Sequence, residues 1–361
     1  MYLWIYDAVL LISAFIFAVA ATGGAYALMR KLEIVDIPNE RSNHSQPTPR
    51  GGGLGIVFAS VAFLIVADAP GSLIWGIILL AGLSFWDDLH GVCAKKRLIA
   101  QVIISAWAVF SSYEGHVLAG ILPQWTEMLL LTFALVWFLN LFNFMDGSDG
   151  LAASESICIS LGILAIAAIA VVSVQLTSFA LIALGASLGF ILWNWSPAKT
   201  FMGDVGSFPL GFFLGILLIM LVEKGFWGAA LILPAVFVAD ATMTLFRRAL
   251  KGEKLLQAHS SHAYQKAVRS GMAHDAVARD VIGTNIVLIV LAVFSVQHMA
   301  PLWQAGFTLS AYALAFMLLH YFASQPQPQE AEPEYTEAEI VDEIPPRDTA
   351  LPAKSGDEQT A

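Results

Sequence analysis

The sequence predicts an all-α integral membrane protein that crosses the bilayer about eleven times. Only 13% of its residues are charged, whereas a soluble domain carries about 25%. The apolar residues lie in long runs that a soluble core would not need. Lys and Arg fall almost entirely in alternate connections between these runs. The first two observations place the chain in a membrane, and the third orients it.

Each predicted span is a run of roughly 20 apolar residues, the length that a helix needs to cross the hydrocarbon layer. The runs at 53–68 and 207–222 are short, so the alternative count is ten. The first run continues to about Met29 with no Lys or Arg before it, which favours a retained helix over a cleaved leader. The predicted spans are about 3–29, 53–68, 71–86, 98–117, 125–143, 155–173, 177–195, 207–222, 227–246, 281–298 and 301–323.

Orientation follows from the basic residues, because cytoplasmic loops carry an excess of Lys and Arg. Counted from the end of the first helix, the odd-numbered connections hold fifteen Lys and Arg, and the even-numbered ones hold only Lys224. We therefore expect the odd connections to be cytoplasmic, the N-terminus to lie outside and the C-terminus to lie inside.

Two domains are predicted: a membrane domain at 1–323 and an acidic tail at 324–361. The tail carries ten acidic and two basic residues and is rich in Pro, Glu and Gln. Such a composition cannot bury enough apolar surface to fold, so we expect a disordered cytoplasmic tail. Most of the net charge of -10 therefore belongs to the tail.

The first cytoplasmic connection, 36–53, is rich in proline, glycine and basic residues. It holds Asn39, Arg41 and Arg50. Arginine grips phosphate with two parallel hydrogen bonds, and glycine lets the backbone approach a ligand closely. A plain basic loop with turn residues is the alternative interpretation.

The second connection opens with two adjacent carboxylates, Asp87 and Asp88, directly after an apolar helix. Two such groups repel each other and are costly to desolvate at a membrane boundary. A divalent cation, a basic partner or a reacting proton would offset that cost. Since Lys95, Lys96 and Arg97 follow in the same loop, an interfacial salt cluster is the alternative.

The third connection carries hard oxygen donors. If the preceding helix continues to about Asp146, then Asn143 and Asp146 lie on one face, three residues apart. Asp149 follows a glycine and is expected to turn out of the helix. Carboxylates and amides suit both a hard cation and a nucleobase.

The fourth connection holds Asn194, Phe201 and Asp204. Asp204 stands just before the next apolar helix, where the helix N-terminus favours an anion. Phe201 is either packing against lipid or a platform on which a base stacks.

The fifth connection holds His259 and His262, which can share a helix face and leave metal, phosphate or no ligand open. The stretch from Ala263 to Val277 is predicted to form a short amphipathic helix on the membrane surface.

Polar motifs thus fall in all five cytoplasmic connections, so their loops can converge into one site. Together they resemble the polyprenyl-phosphate N-acetylhexosamine-1-phosphate transferase family, also called glycosyltransferase family 4, over about residues 1–323. The segments that carry the resemblance are 38–42 with 47–53, Asp87-Asp88, 143–150 and 201–207.

The resemblance implies transfer of N-acetylhexosamine-1-phosphate from a UDP-sugar to undecaprenyl phosphate, with release of UMP, at the cytoplasmic face of a bacterial inner membrane. It implies Mg²⁺ as cofactor, with Mn²⁺ as the alternative, held by Asn143 and Asp204. The implied catalytic residues are Asp87, Asp88 and Asp204. The implied substrate contacts are Asn39, Arg41, Arg50, Asp146, Asp149, Asn194, Phe201, His259 and His262. The implied partners are the UDP-sugar, undecaprenyl phosphate, membrane lipid and a second copy in a homodimer, with no nucleic acid.

The run from His259 to His262 departs from one branch of that family. The phospho-muramoyl-pentapeptide translocase has three consecutive histidines where this chain has His-Ser-Ser-His. The resemblance is therefore to the O-antigen-initiating type, and it leaves the N-acetylhexosamine unnamed.

Two other classes remain as alternatives. A transporter or flippase of lipid-linked intermediates would carry ionisable residues near the middle of the bilayer, where this sequence offers Asp240 alone. A non-catalytic membrane scaffold would use the acidic tail to recruit a partner.

Overall fold

The protein is a helical bundle with almost no β-structure, seen in a computed structural model that describes residues 2–36, 47–113, 122–254 and 260–326. The predicted all-α, polytopic membrane fold is confirmed. Of the predicted tail at 324–361, residues 327–361 lie outside the described residues. The described helices are α1 Tyr2–Lys31, α2 Leu54–Val66, α3 Gly71–His90, α4 Ala94–Ser112, α5 Gln124–Phe144, α6 Leu151–Ile169, α7 Val174–Asn194, α8 Asp204–Glu223, α9 Trp227–Ile232, α10 Ala235–Leu250, α11 Ala263–Arg269, α12 His274–Gln297 and α13 Pro301–Ala323.

Within the described part of the chain, eight helices are long and apolar enough to cross a membrane, so the count of eleven is not confirmed. The other three predicted spans each differ from a full span. Helix α2 has 13 residues, fewer than a span needs. Helix α4 carries the charged residues Lys95, Lys96 and Arg97 in its first turn. The ninth span is interrupted between α9 and α10 at Pro234, which has no backbone N–H to continue the helix.

The predicted surface helix from Ala263 to Val277 is divided in the structure. Helix α11 ends at Arg269, and Gly271 follows with a φ of +99°, a conformation that glycine adopts easily. Helix α12 then begins at His274, ahead of the predicted span at 281. The basic connection therefore contributes a short helix and the N-terminus of a long one.

Small residues allow α1 and α7 to pack backbone to backbone. A Cβ atom on Gly189 would lie 2.6 Å from the carbonyl oxygen of Phe15 and 2.6 Å from the Cβ of Ala18. One turn away, a Cβ on Gly185 would lie 2.7 Å from the carbonyl oxygen of Leu11. Because lipid chains are as apolar as leucine, such close packing is a main source of association between membrane helices.

A second close approach joins the starts of α2 and α8. A Cβ on Gly53 would lie 2.5 Å from the Cα of Gly206. The chain before α2 also pairs with the chain before α8, since the Gly52 N–H donates to the Phe201 carbonyl at 2.9 Å and the Phe201 N–H donates to the Pro49 carbonyl at 3.0 Å. The first and fourth of the odd-numbered connections are therefore fixed to each other through their backbones.

A two-stranded antiparallel sheet closes the first connection on itself. Strand β1, Val35–Asp36, pairs with β2, Thr48–Pro49, with Asp36 opposite Thr48. The pairing places Asp36 close to Arg50, which follows β2 directly. Asn39 and Arg41, which come between β1 and β2 in the sequence, are outside the described residues.

The packing of α1 on α7 predicts that Gly189→Ala destabilises the protein. The added methyl group meets a backbone oxygen, so we expect a loss of roughly 1–3 kcal/mol, seen as a lower thermal unfolding midpoint in detergent. Gly82→Ala in α3 is the matched control, because its Cβ would meet nothing within 4 Å. That change should be neutral or stabilising by up to about 1 kcal/mol. Equal midpoints for the two variants would contradict the packing argument.

Candidate active site

Asp204 lies at the centre of the polar cluster, as the first residue of α8. The preceding residue, Gly203, has a φ of +69°, which turns the chain into the helix. A Cβ on Gly203 would also lie 3.1 Å from the Cγ of Arg50, so glycine lets the arginine pass close to the backbone. The partial positive charge of the helix N-terminus stabilises the Asp204 carboxylate.

Three side chains from three other elements converge on the Asp204 carboxylate. Arg50 Nη2 donates to Oδ1 at 3.0 Å, and Asn143 Nδ2 donates to the same oxygen at 3.2 Å. Arg97 Nη1 lies 3.5 Å from Oδ2. Asn143 also donates to Ser207 Oγ at 2.7 Å, one turn further along α8. The two residues that the sequence proposes as metal ligands, Asn143 and Asp204, are therefore in contact.

The adjacent carboxylates Asp87 and Asp88 have different partners. Asp87 pairs with Arg97 and accepts the Val92 N–H at 2.6 Å. Asp88 faces Arg50, with 3.8 Å between Oδ1 and Nη2 and about a third of its side chain exposed. Asp87 therefore fits the interpretation as part of an interfacial salt cluster. The carboxylate of Asp88 is partly exposed and is not bound in the same way.

Charge compensation sets the protonation of the cluster. Burial lowers the pKa of Arg50, but the carboxylates of Asp204 and Asp88 outweigh it and raise that pKa above its ordinary value. Arg50 therefore stays a cation. Burial, and then the negative charge of Asp204, raise the pKa of Asp146 well above its usual range, against the opposing effect of Arg50.

A polar cavity of about 250 Å³ opens beside Asp204. It brings together most of the predicted site residues that the structure describes. These cavity-lining residues are Arg50, Asn143, Asp146, Asp149, Asn194, Phe201 and Asp204.

Asp149 and Asn194 hold two of the loops around this cavity. Asp149 Oδ2 accepts the Ala198 N–H at 3.0 Å. Asn194 is buried, accepts the Gly150 N–H at 3.0 Å and donates to the Thr200 carbonyl at 3.0 Å. The third and fourth connections are thus joined by side chains that the sequence proposed only as substrate contacts.

His274 is a cavity residue that the sequence analysis missed. Its Nδ1 lies 2.9 Å from Ser148 Oγ, 3.3 Å from the Asp149 N–H nitrogen and 3.9 Å from Asp149 Oδ1. Gln265 and Asp36 also line the cavity. Nothing in the composition indicates that these positions line a cavity. The best available sequence feature is the place of His274 at the start of a spanning helix.

His262 does not line the cavity, although the family resemblance implies it as a substrate contact. It is 1% exposed, and its Nδ1 lies 3.4 Å from Oδ1 of Asp240. Asp240 in turn accepts the backbone N–H groups of Ala263 and Tyr264 at 2.9 and 3.2 Å. The companion residue His259 lies outside the described residues.

Asp240 therefore holds the first turn of α11. This structural role explains why an ionisable residue lies inside the bundle, so a transport path is not needed to explain it. Tyr264 extends this anchoring, because its hydroxyl donates to the Phe144 carbonyl at 3.0 Å. Burial raises the pKa of Tyr264, so the hydroxyl remains a donor. The same turn carries Gln265 to the cavity.

The donor chemistry of the cluster fits magnesium. Asp204 supplies a carboxylate and Asn143 an amide oxygen, once its amide turns, and Mg²⁺ prefers such hard oxygens. Among the described residues no three His, Cys, Asp or Glu side chains are grouped to hold a metal ion. That arrangement is compatible with Mg²⁺, which commonly takes one or two protein ligands and completes its shell with substrate phosphates and water.

Comparison with known proteins identifies the scaffold. The profile of glycosyl transferase family 4 matches residues 71–222. A phospho-N-acetylmuramoyl-pentapeptide-transferase of Chlamydia trachomatis is 30% identical over 69% of this chain and 82% of its own length. The chain belongs to glycosyl transferase family 4. The matched segment contains Asp87, Asp88, Asn143 and Asp204.

Other members of the family are similar to this chain at nearly the same level. A probable undecaprenyl-phosphate N-acetylglucosaminyl 1-phosphate transferase of Bacillus subtilis is 28% identical over 68% of this chain and 72% of its own length. A decaprenyl-phosphate N-acetylglucosaminephosphotransferase of Mycolicibacterium smegmatis is 28% identical over 73% and 75%. Because relatives with different named donors match similarly, identity alone does not select the donor.

The anchoring of α11 predicts that Asp240→Asn lowers stability. An amide nitrogen would face backbone N–H groups and leave at least one buried donor unsatisfied, which costs about 1–3 kcal/mol. Thermal unfolding in detergent measures the effect. Asp68→Asn is the control, since Asp68 is exposed and its φ of +52° suits asparagine equally. Wild-type stability in Asp240→Asn would refute the anchoring role.

Proposed function

We propose that this protein transfers N-acetylhexosamine-1-phosphate from a UDP-sugar to undecaprenyl phosphate and releases UMP, as the first step of a lipid-linked glycan such as O-antigen. The observation that carries the proposal is the convergence of Arg50, Arg97 and Asn143 on Asp204 beside a polar cavity. Family membership and the named activities of the relatives point to the same reaction class.

The membrane position and side of the site suit these two substrates. Undecaprenyl phosphate stays in the bilayer, so its reaction must take place at the membrane boundary. The cavity is lined from the connections that hold most of the Lys and Arg, and such connections face the cytoplasm. A soluble nucleotide sugar is supplied on that side, in a bacterial inner membrane.

The nucleoside end of the donor is assigned to the part of the cavity that holds Phe201 and Asp149. The ring of Phe201 offers a face for uracil, and Asp149 offers an acceptor for its imide N–H. Asn194 acts on this region by holding both loops in place, since its amide is bonded to the backbone on each side.

The phosphates are assigned to the cluster around Asp204. Attack of one phosphate on another meets like-charge repulsion, so the protein must supply cations. Arg50 and Arg97 are placed to bind phosphate oxygens through charge-assisted hydrogen bonds. Asp204 and Asn143 would hold Mg²⁺, which when bound neutralises charge on the diphosphate and the departing UMP.

The chemical step is a displacement at the β-phosphorus of the donor. An oxygen of the lipid phosphate forms a bond to that phosphorus, the bond to the oxygen bridging the α- and β-phosphorus breaks, and UMP leaves. We assign removal of a proton from the lipid phosphate to Asp88, because Asp87 is already bound to Arg97 and the Val92 N–H. This is direct attack, and trapping of a phosphorylated Asp87 or Asp88 would overturn it.

The acidic tail is assigned no part in this reaction. All the residues used above lie within 1–323, the proposed transferase domain. A truncation before 327 should therefore retain turnover, whereas the scaffold alternative requires lost function.

The proposed reaction predicts measurable turnover. Purified protein with undecaprenyl phosphate and Mg²⁺ should release UMP from a UDP-N-acetylhexosamine, and Asp204→Asn should lower kcat by roughly 100-fold or more. Glu223→Gln, at the opposite end of α8, is the control and should turn over normally. The donor panel should include UDP-GlcNAc, other UDP-N-acetylhexosamines and UDP-MurNAc-pentapeptide.

Each outcome of the donor panel supports the proposal or contradicts it. Release that needs both lipid and Mg²⁺ supports the proposal. Release of UMP from UDP-MurNAc-pentapeptide alone would show that the proposed donor class is wrong. If well-folded protein releases no UMP with any donor, the transferase proposal is overturned.

The proposed reaction also predicts different kinetic roles for the adjacent residues Asp87 and Asp88. Asp88→Asn should lower kcat with the donor KM little changed, because it removes a group needed only in the transition state. Asp87→Asn frees Arg97 and should raise the donor KM as well. Steady-state kinetics with varied UDP-sugar measures both, and identical kinetic defects would contradict the division of roles.

A further inference from the structure

The third connection, which carries Asp149, is held from two sides at the polar cavity. Two successive backbone N–H groups stand directly before α6, and each donates to a side chain of a distant element. The Gly150 N–H donates to Asn194 Oδ1 at 3.0 Å, and the Asp149 N–H donates to His274 Nδ1 at 3.3 Å. Asn194 ends α7 and His274 begins α12, so the connection is clamped between two helices that can span the membrane.

The contacts of His274 determine where its ring hydrogen lies. A backbone N–H can only donate, so the Nδ1 atom that receives it must be an acceptor. The Ser148 hydroxyl, whose Oγ lies 2.9 Å from the same Nδ1, is able to donate as well. Asp149 Oδ1 lies 3.9 Å from Nδ1, beyond hydrogen-bond distance. The neutral imidazole with its hydrogen on Nε2 is therefore the form that satisfies both close contacts.

A buried bond deeper in the bundle holds α12 against α6. Asn285, about three turns along α12 from His274, donates through Nδ2 to Glu155 Oε2 on α6 at 2.6 Å. Both side chains are at most 1% exposed. Breaking a buried polar pair leaves its members unsatisfied, which is costly. The position of His274 beside the third connection is therefore fixed by the packing of α12 as well as by its own contacts.

The clamp sets the position of the Asp149 carboxylate. Its Oδ2 accepts the Ala198 N–H at 3.0 Å, so Oδ1 is the oxygen that a uracil imide would meet. Asp149 and His274 both line the cavity, with 12% and 18% of their side chains exposed. Because the imidazole holds the backbone of Asp149, loss of that bond would let the backbone shift and would move Oδ1 with it.

We infer that His274 is a positioning residue for the nucleoside end of the UDP-sugar: in its neutral form, Nδ1 accepts the Asp149 N–H and so fixes the carboxylate that binds uracil. This role rests on the proposed function and adds to it a residue outside the segment that the family profile matches. His274 acts through Asp149 and has no part at the reacting phosphates. Its loss should therefore weaken donor binding and leave the chemical step unchanged.

Two replacements of His274 with the same branched shape test this role. In His274→Asn, the amide oxygen on Cγ takes the position of Nδ1 and can accept the Asp149 N–H. In His274→Leu, a methyl group takes that position and leaves the N–H without this acceptor. We expect a donor KM within about twofold of wild type for His274→Asn and roughly tenfold higher for His274→Leu. Steady-state kinetics should also show kcat and the KM for undecaprenyl phosphate within about twofold of wild type in both variants.

His298→Leu is the matched control, because His298 is exposed at the opposite end of α12 and does not line the cavity. It should leave the KM values of both substrates unchanged.

A double-mutant cycle with Asp149→Asn tests whether His274 acts through Asp149. If it does, His274→Leu should raise the donor KM by less than about twofold once Asp149→Asn is present, because the carboxylate that it positions is already gone. Independent, multiplicative effects of the two substitutions would overturn the positioning role.

The kinetic outcomes separate this role from the proposed function. Equal donor KM values for His274→Leu and His274→Asn, in protein that releases UMP, would overturn the role of His274 and leave the transferase intact. Absence of UMP release by the wild-type protein with every donor would instead count against the transferase.

Nitrogen NMR of the wild-type protein with isotope-labelled histidines tests the ring hydrogen without any turnover. The signals of His274 are those missing from His274→Asn. We expect an Nδ1 without hydrogen and an Nε2 that carries one. A hydrogen on Nδ1 would overturn the positioning role, and this measurement decides the question if His274→Leu does not fold.

Discussion

The site depends on one carboxylate, that of Asp204, and on the need to balance its charge at a membrane boundary. Arg50, Arg97 and Asn143 reach it from distant parts of the sequence and from three different elements. In a region of low dielectric constant, ionic attraction is strong, but an unpaired charge is very costly. The cluster is stable because its carboxylates share two guanidinium groups. In the proposed reaction, the same guanidinium groups bind substrate phosphates.

This charge balance requires a rigid backbone around it. Gly53 contacts the backbone of Gly206, and the strand-like pairing of 49–53 with 201–202 holds Arg50 beside Asp204. Asn194 and Asp149 join the neighbouring loops through bonds to backbone groups. Among the described residues, the first and third connections are therefore each bonded to the fourth through backbone groups. Such fixed placement is what phosphoryl transfer needs, because its rate depends on positioned charge more than on covalent chemistry.

The polar cavity beside Asp204 brings together side chains from several connections and helices. Its polar lining suits the nucleotide sugar of the proposed reaction. The family match covers 71–222 and so includes Asp87, Asp88, Arg97, Asn143 and Asp204 of the charge cluster, but not Arg50. Asp36, Gln265 and His274 line the polar cavity from outside that segment.

The sequence by itself determined the membrane fold, most of the spans, and the connections that contain the site, because hydropathy and charge asymmetry are local properties of a chain in a bilayer. It also singled out Arg50, Asn143, Asp149 and Asp204, whose residue types suit phosphate, cation and base. Only the tertiary structure decided that His274 lines the cavity while His262 packs on Asp240, and that Asp87 and Asp88 have separate partners. The interruption at Pro234 and the short α2 were likewise decided there. The physical reason is that the direction in which a polar side chain points, and the partner it meets, depend on how distant helices pack against one another.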